Sequence, residues 1–312
     1  MAAVETELNG ALLVDKPEGI TSAEVLRRLE RKHSIAKIGH GGTLDPMATG
    51  LLLVFLGKAT KLQTLFLDGD KAYSGVIRLG LSTDTDDITG AVTSRDEALA
   101  ALDGRDLSAL ARELEKQFRG EIMQAPPAVS AIKLNGKRSY ELARKGVDVQ
   151  HEPRCVTIRE IALEFQNRSQ LSYAVRCSKG TFVRSLARDI GGALGVPACL
   201  ESIRRTLSGA FSIENAHPLD ELLAASSIEP FVLPMEAIVE GLSKIVLSND
   251  ELTSLARGNQ DALRNRQPDS QGPARPELAA VFDGEARFYG LVERSDAALH
   301  DWKVRCLVRV EG

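Results

Sequence analysis

Apolar runs and alternating patterns mark the strands in the first part of the chain. Residues 51–56 are all apolar and end at Gly57, which is typical of a strand buried on both faces. The apolar run at 12–14 predicts a shorter strand, and the alternation over 71–80 predicts another.

Three further segments have helical patterns. Thr21 and Glu24 have the spacing of a capping box, so a helix is expected to begin there and to continue to about Lys32. Residues 58–67 and 107–118 also have apolar positions at helical spacing.

The second half of the chain begins with a hairpin pattern and ends in short strands. Residues 156–165 and 171–177 alternate like two antiparallel strands, and a helix is expected after the turn at 179–180. Four strand-like stretches lie beyond about residue 241, at 244–247, 278–282, 287–293 and 303–310. This spacing favours a small β-barrel.

Length and composition limit the class of protein. The chain has 312 residues, of which 43% are apolar, and this length accommodates one large and one small domain. No apolar run approaches a membrane-spanning length, and the acidic start lacks the features of a signal peptide, so we expect a cytoplasmic protein. The four isolated cysteines predict neither a disulfide nor a structural zinc site.

The distribution of charge is more informative than the total. A net charge of −4 is atypical of a nucleic-acid-binding protein. Between residues 128 and 146, however, five basic residues accompany a single acid, Glu141. Such a segment can bind phosphates on an otherwise acidic protein. An ordinary solvated helix face is the alternative interpretation.

The chain's strongest candidate for chemistry is the glycine-rich segment at 37–50, which contains one carboxylate, Asp45. Glycines allow close approach of a ligand, and Pro46 restricts Asp45 to an extended or turn conformation. The apolar strand that follows would hold this loop still. The alternative is a structural turn in which Asp45 only bonds nearby backbone.

Several strings in this sequence resemble motifs of one enzyme family. They are G-H-G-G-T-L-D-P-x-A-T-G at 39–50, D-K-P-x-G-x-T-S at 15–22, C-S-K-G-T-F-V-R at 177–184 and I-R-R-T-x-x-G-x-F at 203–211. Together they resemble the TruB family of tRNA pseudouridine synthases. The resemblance is specific over about residues 10–212 and only architectural beyond 241.

The resemblance implies an α+β fold, with a pseudouridine synthase catalytic core built on a mixed, largely antiparallel central sheet. We expect this catalytic domain at 1–240, including an RNA-clamping insertion at about 122–152. A small C-terminal β-barrel, a PUA-like RNA-binding domain, is expected at 241–312.

The family motifs also imply roles for individual residues. Asp45 matches the catalytic aspartate, and Arg184 matches the arginine that would keep a buried carboxylate ionised. Tyr73 and Phe182 would stack on the target uracil, and Ile203 would contact its face. Phe182 replaces the tyrosine common in bacterial members, so it keeps the stacking face but lacks a hydroxyl.

Two more residues complete the predicted substrate site. His40 would fill or stabilise the disrupted RNA loop, although a histidine satisfied within the core is the alternative. Lys133 belongs to the basic insertion and would bind the RNA.

The implied activity is the conversion of uridine 55 in the T stem-loop of tRNA to pseudouridine. It requires no cofactor and no metal, and a monomer is expected. Covalent attack by Asp45 and abstraction of the C2′ proton both remain open. The alternative functions are a non-catalytic tRNA-binding or folding module and a guide-RNA-dependent pseudouridine synthase.

Other matched positions are expected to be structural. Lys16 and Pro17 are assigned to scaffolding, and the acidic string at 83–87 to a solvated turn. Arg204 and Arg205 would meet either phosphates or acidic side chains of the core, and the sequence does not choose between them.

Overall fold

The computed structural model describes residues 8–96, 99–129, 133–134, 137–139, 151–269, 277–294 and 302–309. A ten-stranded mixed sheet forms the main body, and its strands run in the order β14-β1-β3-β12-β4-β11-β10-β7. Two short strands lie off this path, because β2 pairs with β3 and β13 pairs with β12. The strands are β1 Gly10–Lys16, β2 Ile38–His40, β3 Thr49–Leu56, β4 Lys71–Leu79, β7 Gly120–Gln124, β10 Arg154–Asn167, β11 Gln170–Cys177, β12 Ala198–Ser208, β13 Phe211–Ser212 and β14 His217–Pro218.

Most neighbours in this sheet are antiparallel. Only the β1–β14 and β3–β12 pairs are parallel. The α+β class and the mixed, largely antiparallel central sheet are therefore confirmed. The predicted strands at 12–14, 51–56, 71–80, 156–165 and 171–177 all lie within this sheet.

Seven α-helices occur among the described residues: α1 Ser22–His33, α2 Gln63–Leu67, α3 Leu107–Phe118, α4 Val183–Leu194, α5 Leu219–Ala224, α6 Met235–Ile238 and α7 Asn249–Ala256. The side chain of Thr21 caps α1 by accepting a hydrogen bond from Glu24 N at 3.0 Å, as the sequence predicted. The predicted helix at 58–67 is instead a 3₁₀ helix, Gly57–Leu62, followed by the short α2.

Alternate residues of β1 and β3 pack against different layers, because side chains of a strand point to opposite faces. Leu12 and Leu52 belong to a core with α1 and α5. Leu13 and Leu53 belong to a second core that also contains α6 and residues of the C-terminal sheet. A third core joins β4, β10 and β11 to α3 and α4.

The C-terminal region contains a four-stranded sheet in the order β15-β16-β17-β18. Its strands are β15 Ser243–Val246, β16 Leu278–Phe282, β17 Phe288–Arg294 and β18 Trp302–Leu307. The four predicted strands are thus present, as an open sheet in the part of the chain that the structure describes. Two two-stranded ribbons, β5 Leu81–Thr83 with β6 Val92–Arg95 and β8 Lys133–Leu134 with β9 Lys137–Arg138, complete the fold.

None of the helices in the described ranges is long and apolar enough to cross a membrane.

Candidate active site

Five of the seven residues predicted for the site line one cavity of about 180 Å³. They come from four separate places in the chain: the glycine-rich loop, β4, β12 and the start of α4. They are Asp45, Tyr73, Phe182, Arg184 and Ile203. The fold therefore brings together side chains that lie far apart in the sequence.

The loop that carries Asp45 is held on both sides of this residue. Ser22 Oγ accepts a hydrogen bond from Leu44 N at 2.8 Å and donates one to Leu44 O at 3.1 Å. On the other side, Pro46 O accepts hydrogen bonds from Gly19 N at 2.8 Å and from Lys16 Nζ at 3.3 Å. The string D-K-P-x-G-x-T-S was predicted to be structural. Its residues hydrogen-bond the backbone on both sides of Asp45.

Lys16 is fully buried, and its ammonium also donates to the carbonyls of Pro17 and Ile20, both at 2.8 Å. Burial lowers the pKa of Lys16 to about 8, although the negative charge of Asp45 acts in the opposite direction. The carboxylate therefore has a second cationic neighbour besides Arg184.

Arg184 contacts Asp45 as the sequence predicted, with 3.1 Å between Nη2 and Oδ2. Its guanidinium also donates to Thr85 O at 3.1 Å and to Val129 O at 3.0 Å. Its side chain is 10% exposed, whereas that of Asp45 is 48% exposed. The arginine is thus the fixed, buried partner, and the carboxylate faces the open cavity.

The expectation that Asp45 is buried is therefore wrong. The carboxylate lies on a loop at the mouth of the cavity and is half exposed. Burial of Asp45 requires that another molecule cover the cavity.

The interpretation of residues 83–87 as a solvated turn is also wrong. Asp87 is 5% exposed, and its Oδ2 lies 3.4 Å from Nη1 of Arg184. Its Oδ1 accepts hydrogen bonds from Thr85 Oγ1 at 2.9 Å and from Thr89 N at 3.0 Å. Arg184 is thus bound between two carboxylates, which fixes the direction of its planar guanidinium.

A second arginine of α4 holds the same turn. Arg188 Nη1 contacts Asp86 Oδ2 at 2.7 Å, and its Nη2 donates to Ala125 O at 2.9 Å. Burial raises the pKa of Asp86, while the charges of Arg188 and Arg184 oppose this rise. Helix α4 therefore fixes both the acidic turn and residue 125, which begins the segment leading to Val129.

The walls of the cavity come from two neighbouring strands of the main sheet and from the start of α4. Tyr73 lies on β4, and Ile203 lies on the adjacent β12 opposite Gly75. Phe182 is the residue before α4, and its N–H donates to Gln124 Oε1 at 2.8 Å. A hydrogen bond to the buried side chain of Gln124 thus fixes the backbone that carries the phenyl ring.

His40 is not among the described residues that line this cavity. His40 ends β2 and is half-buried, and its Nδ1 accepts a weak hydrogen bond from Gly42 N at 3.4 Å. Burial, followed by the positive charge of Arg205, lowers the pKa of His40. Lys133 lies in β8, but its side chain, like residues 140–150 of the insertion, falls outside the described part.

The structure resolves the choice left open for the paired arginines, and neither needs a phosphate. Arg204 forms a two-pronged contact with Asp15, at 3.0 Å to Oδ1 and 2.6 Å to Oδ2. Arg205 is 2% exposed and donates to Leu51 O at 2.7 Å and to Gly42 O at 3.1 Å. Of the two, only Arg204 meets an acidic side chain among the residues that the structure describes.

Three contributors to the site were not recognised from the sequence: Asp87, Ser22 and Gln124. Asp87 lies in the acidic string at 83–87, which was interpreted from its local polarity. Ser22 ends the string at 15–22, and Gln124 lies at the start of the predicted RNA-clamping insertion; each binds a backbone group far along the chain. Within the described ranges, no group of three or more His, Cys, Asp or Glu side chains is placed to hold a metal ion.

Comparison with known families and proteins agrees with the motifs. Residues 30–183 match the TruB family pseudouridylate synthase (N terminal domain), and residues 184–240 match the tRNA pseudouridylate synthase B C-terminal domain. The chain is 40% identical over 294 residues to tRNA pseudouridine synthase B of Azoarcus sp. (strain BH72), covering 94% of this chain and 93% of that protein. It is 35% identical over 289 residues to the protein of the same name from Alkaliphilus oremlandii, covering 93% and 95%.

A solved structure shows the same fold at lower identity. It is described as the archaeal box H/ACA sRNP Nop10-Cbf5 complex, and it matches with a TM-score of 0.71 and 24% identity, covering 97% of this chain and 87% of that chain. The strand order, the residues gathered at the cavity and the extent of these matches lead to one conclusion. The chain belongs to the TruB family of pseudouridylate synthases.

Proposed function

We propose that this protein converts uridine 55 in the T stem-loop of tRNA to pseudouridine, with Asp45 as the catalytic residue. One observation carries the proposal: Asp45 and Arg184 form an ion pair of 3.1 Å inside a cavity walled by Tyr73, Phe182 and Ile203. The relatives named tRNA pseudouridine synthase B, which match more than nine-tenths of the chain, support tRNA as the substrate.

The geometry of the cavity suits a uracil base that has been flipped out of its stack. A uridine within a folded loop must be flipped out, which costs a few kcal/mol. Stacking against side chains returns about 1–3 kcal/mol per base. Tyr73 and Phe182 supply aromatic faces for this purpose, and Ile203 supplies an apolar wall. Entry of the nucleotide then covers Asp45 and excludes water from its ion pair with Arg184.

The reaction breaks the N1–C1′ bond, turns the uracil and forms the C5–C1′ bond, after which C5 loses its proton. Asp45 either attacks carbon to form a covalent intermediate or removes the C2′ proton to give a glycal. Arg184 keeps the carboxylate ionised and directed at the ribose in either case. Asp87 keeps Arg184 in place.

The remaining RNA contacts are assigned to groups at the edge of the cavity. His40 would contact the disrupted T-loop, and burial lowers the pKa of this histidine in the free protein. Lys133 and the other basic residues of the 122–152 insertion would bind the stem. Because these contacts replace counterions on phosphates, tRNA affinity should fall steeply with salt.

The proposed domain division places the catalytic domain at 1–240 and a PUA-like RNA-binding β-barrel at 241–312. The four-stranded sheet β15–β18 supports a β-structured unit there. We further propose that the protein acts as a monomer in the cytoplasm and without a guide RNA. The relatives that are 35–40% identical share the single name tRNA pseudouridine synthase B, which favours the stand-alone enzyme.

The decisive experiment is tritium release from an unmodified tRNA transcript that contains 5-tritiated uridine, with wild type and Asp45→Asn in parallel. Wild type should release one equivalent, and the variant none, while both bind the tRNA with similar affinity. Tight binding by wild type without tritium release would instead support the non-catalytic folding module. Unchanged turnover by Asp45→Asn would refute the assignment of the catalytic residue.

A further inference from the structure

The turn that carries Asp87 has an uncommon backbone conformation at the preceding residue. Asp86 has a φ of +61°, in the left-handed region that residues other than glycine rarely adopt. Aspartate tolerates this region better than most side chains, but the conformation still costs free energy and persists only where surrounding contacts impose it. The contacts of Asp86 must therefore hold the turn in this form.

Two elements hold this turn from opposite directions along the chain. From β12, Leu200 N donates to Asp86 O at 2.9 Å, and Leu200 O accepts a hydrogen bond from Ile88 N at 2.9 Å. From α4, Arg188 Nη1 contacts Asp86 Oδ2 at 2.7 Å. Leu200 is fully buried, so the contact with β12 is part of the core. The turn is thus held between two elements that also line the cavity.

Two arginines of α4 contact two successive aspartates of this turn. Arg184 and Arg188 lie four positions apart, so they occupy the same face of the helix. Asp86 contacts Arg188 at 2.7 Å, and Asp87 contacts Arg184 at 3.4 Å. Neighbouring side chains of an extended segment point in opposite directions, whereas here both carboxylates meet one helix. The left-handed backbone at residue 86 thus accompanies a double contact between the turn and α4.

The guanidinium of Arg188 has further contacts that fix its direction. Its Nη2 donates to Ala125 O at 2.9 Å, and its Nε donates to Asp189 Oδ1 at 3.0 Å. Of the two acids that it contacts among the described residues, Asp86 is the more enclosed, with a side chain that is 15% exposed against 30% for Asp189. An enclosed ion pair with fixed geometry holds its partners more firmly than a surface pair. Arg188 is therefore a fixed point that holds Asp86.

We propose that Asp86 and Arg188 are positioning residues for the isomerisation: their ion pair holds the turn so that Asp87 faces Arg184, and Arg184 in turn faces Asp45. The direction of the catalytic carboxylate then depends on two ion pairs of α4, an inner pair at Asp87 and an outer pair at Asp86. This inference rests on the proposed function, because it assigns Asp45 to catalysis.

The test breaks the outer pair from either side, with Asp86→Asn and Arg188→Gln, and measures the single-turnover rate with a tRNA transcript. Asparagine also tolerates the left-handed backbone, so Asp86→Asn removes the charge without adding strain. Each variant should be slower than wild type by about tenfold, because a small misplacement of a reacting group lowers the fraction of productive complexes. The tRNA dissociation constant should stay within about twofold, since the phosphate contacts are untouched.

A double-mutant cycle with Asp87→Asn distinguishes positioning from a general loss of stability. Because Asp86 acts through Asp87, adding Asp86→Asn to Asp87→Asn should slow the reaction by no more than about twofold further. Asp189→Asn is the matched control, because it removes the other acid beside Arg188 and leaves the contacts of the turn in place. It should keep the wild-type rate.

Two results would overturn the proposal. One is a fully multiplicative effect of Asp86→Asn and Asp87→Asn, and the other is a rate of Asp86→Asn or Arg188→Gln within about twofold of wild type. Because both variants break the same ion pair, either one decides the question if the other does not fold. Wild type measured alongside separates the two hypotheses: a wild type that binds tRNA without turnover rejects the proposed function itself.

Discussion

Asp87 contacts Nη1 of Arg184 at 3.4 Å, while Asp45 contacts Nη2 of the same guanidinium at 3.1 Å. Asp87 is buried and held by its own turn, whereas Asp45 is half exposed. The arginine is therefore positioned from the buried side and presented to the exposed carboxylate. This order explains how a solvent-facing aspartate can keep one geometry before substrate arrives.

Asp87→Asn tests this relationship. The amide keeps the shape but loses the charge that orients Arg184, so turnover should fall by about 10- to 100-fold, as expected for small misplacements of a reacting group. Affinity for tRNA should hardly change. The measurement is the single-turnover rate next to a binding titration. Asp84→Asn, in the same turn but exposed, is the control and should keep the wild-type rate; equal losses in both variants would point to general damage of the turn.

Ser22→Ala tests whether the two hydrogen bonds between Ser22 and the backbone of Leu44 contribute to catalysis. The substitution removes two hydrogen bonds next to Asp45 and should slow turnover by about tenfold or more. Thr21→Ala is a matched control, because it removes the cap of the same helix. Both variants should lose roughly 1 kcal/mol of unfolding free energy. If denaturant titrations show similar losses but the two rates are also equal, Ser22 has no role in positioning Asp45.

The lowered pKa of Lys16 predicts that the stability of the protein depends on pH. Its pKa is about 8 in the folded protein and 10.5 in the ordinary case, because burial disfavours the ammonium. Between these values the unfolded chain binds more protons than the folded chain, so the free energy of unfolding gains a contribution that rises with pH. Lys16→Met removes this contribution. The difference in unfolding free energy, wild type minus variant, should therefore increase between about pH 8 and about pH 10; a constant difference would contradict the assignment.

Phe182→Tyr should be tolerated, since the ring remains and the backbone is held by Gln124 rather than by the side chain. Phe182→Leu removes the aromatic face and should lose about 1–3 kcal/mol of base stacking, seen as a slower single-turnover rate. A loss of more than about tenfold for Phe182→Tyr would show that the pocket depends on the absence of a hydroxyl at this position.

Elements with their own periodicity were predictable from the sequence. The helix at 107–118 and the buried strand at 51–56 follow from local patterns, and the N-cap residue Thr21 fixes the start of α1. Seven site residues followed from matched motifs, and the fold gathers five of them at the cavity. These successes share one cause: the information is contiguous in the chain.

The failures concern residues whose environment is made by distant segments. Asp87 sits among acids and threonines, so its local sequence suggests exposure, yet Arg184, 97 residues later, buries it. Likewise, no strand was predicted for the residues of β12, because their pairing with β3 and β4 arises only in the folded sheet. The exposure of Asp45 could not be predicted either, since it depends on how far the cavity opens.

The core shared between the main sheet and the C-terminal sheet limits how the protein can be divided. Leu53 and Phe55 pack in one cluster with Met235, Phe282 and Phe288. A truncation after residue 240 would expose this apolar face, so the shortened chain should aggregate rather than form a working catalytic half. For the same reason, loss of the C-terminal sheet and of the main sheet should be a single cooperative event, which Trp302, the only tryptophan, can report by fluorescence.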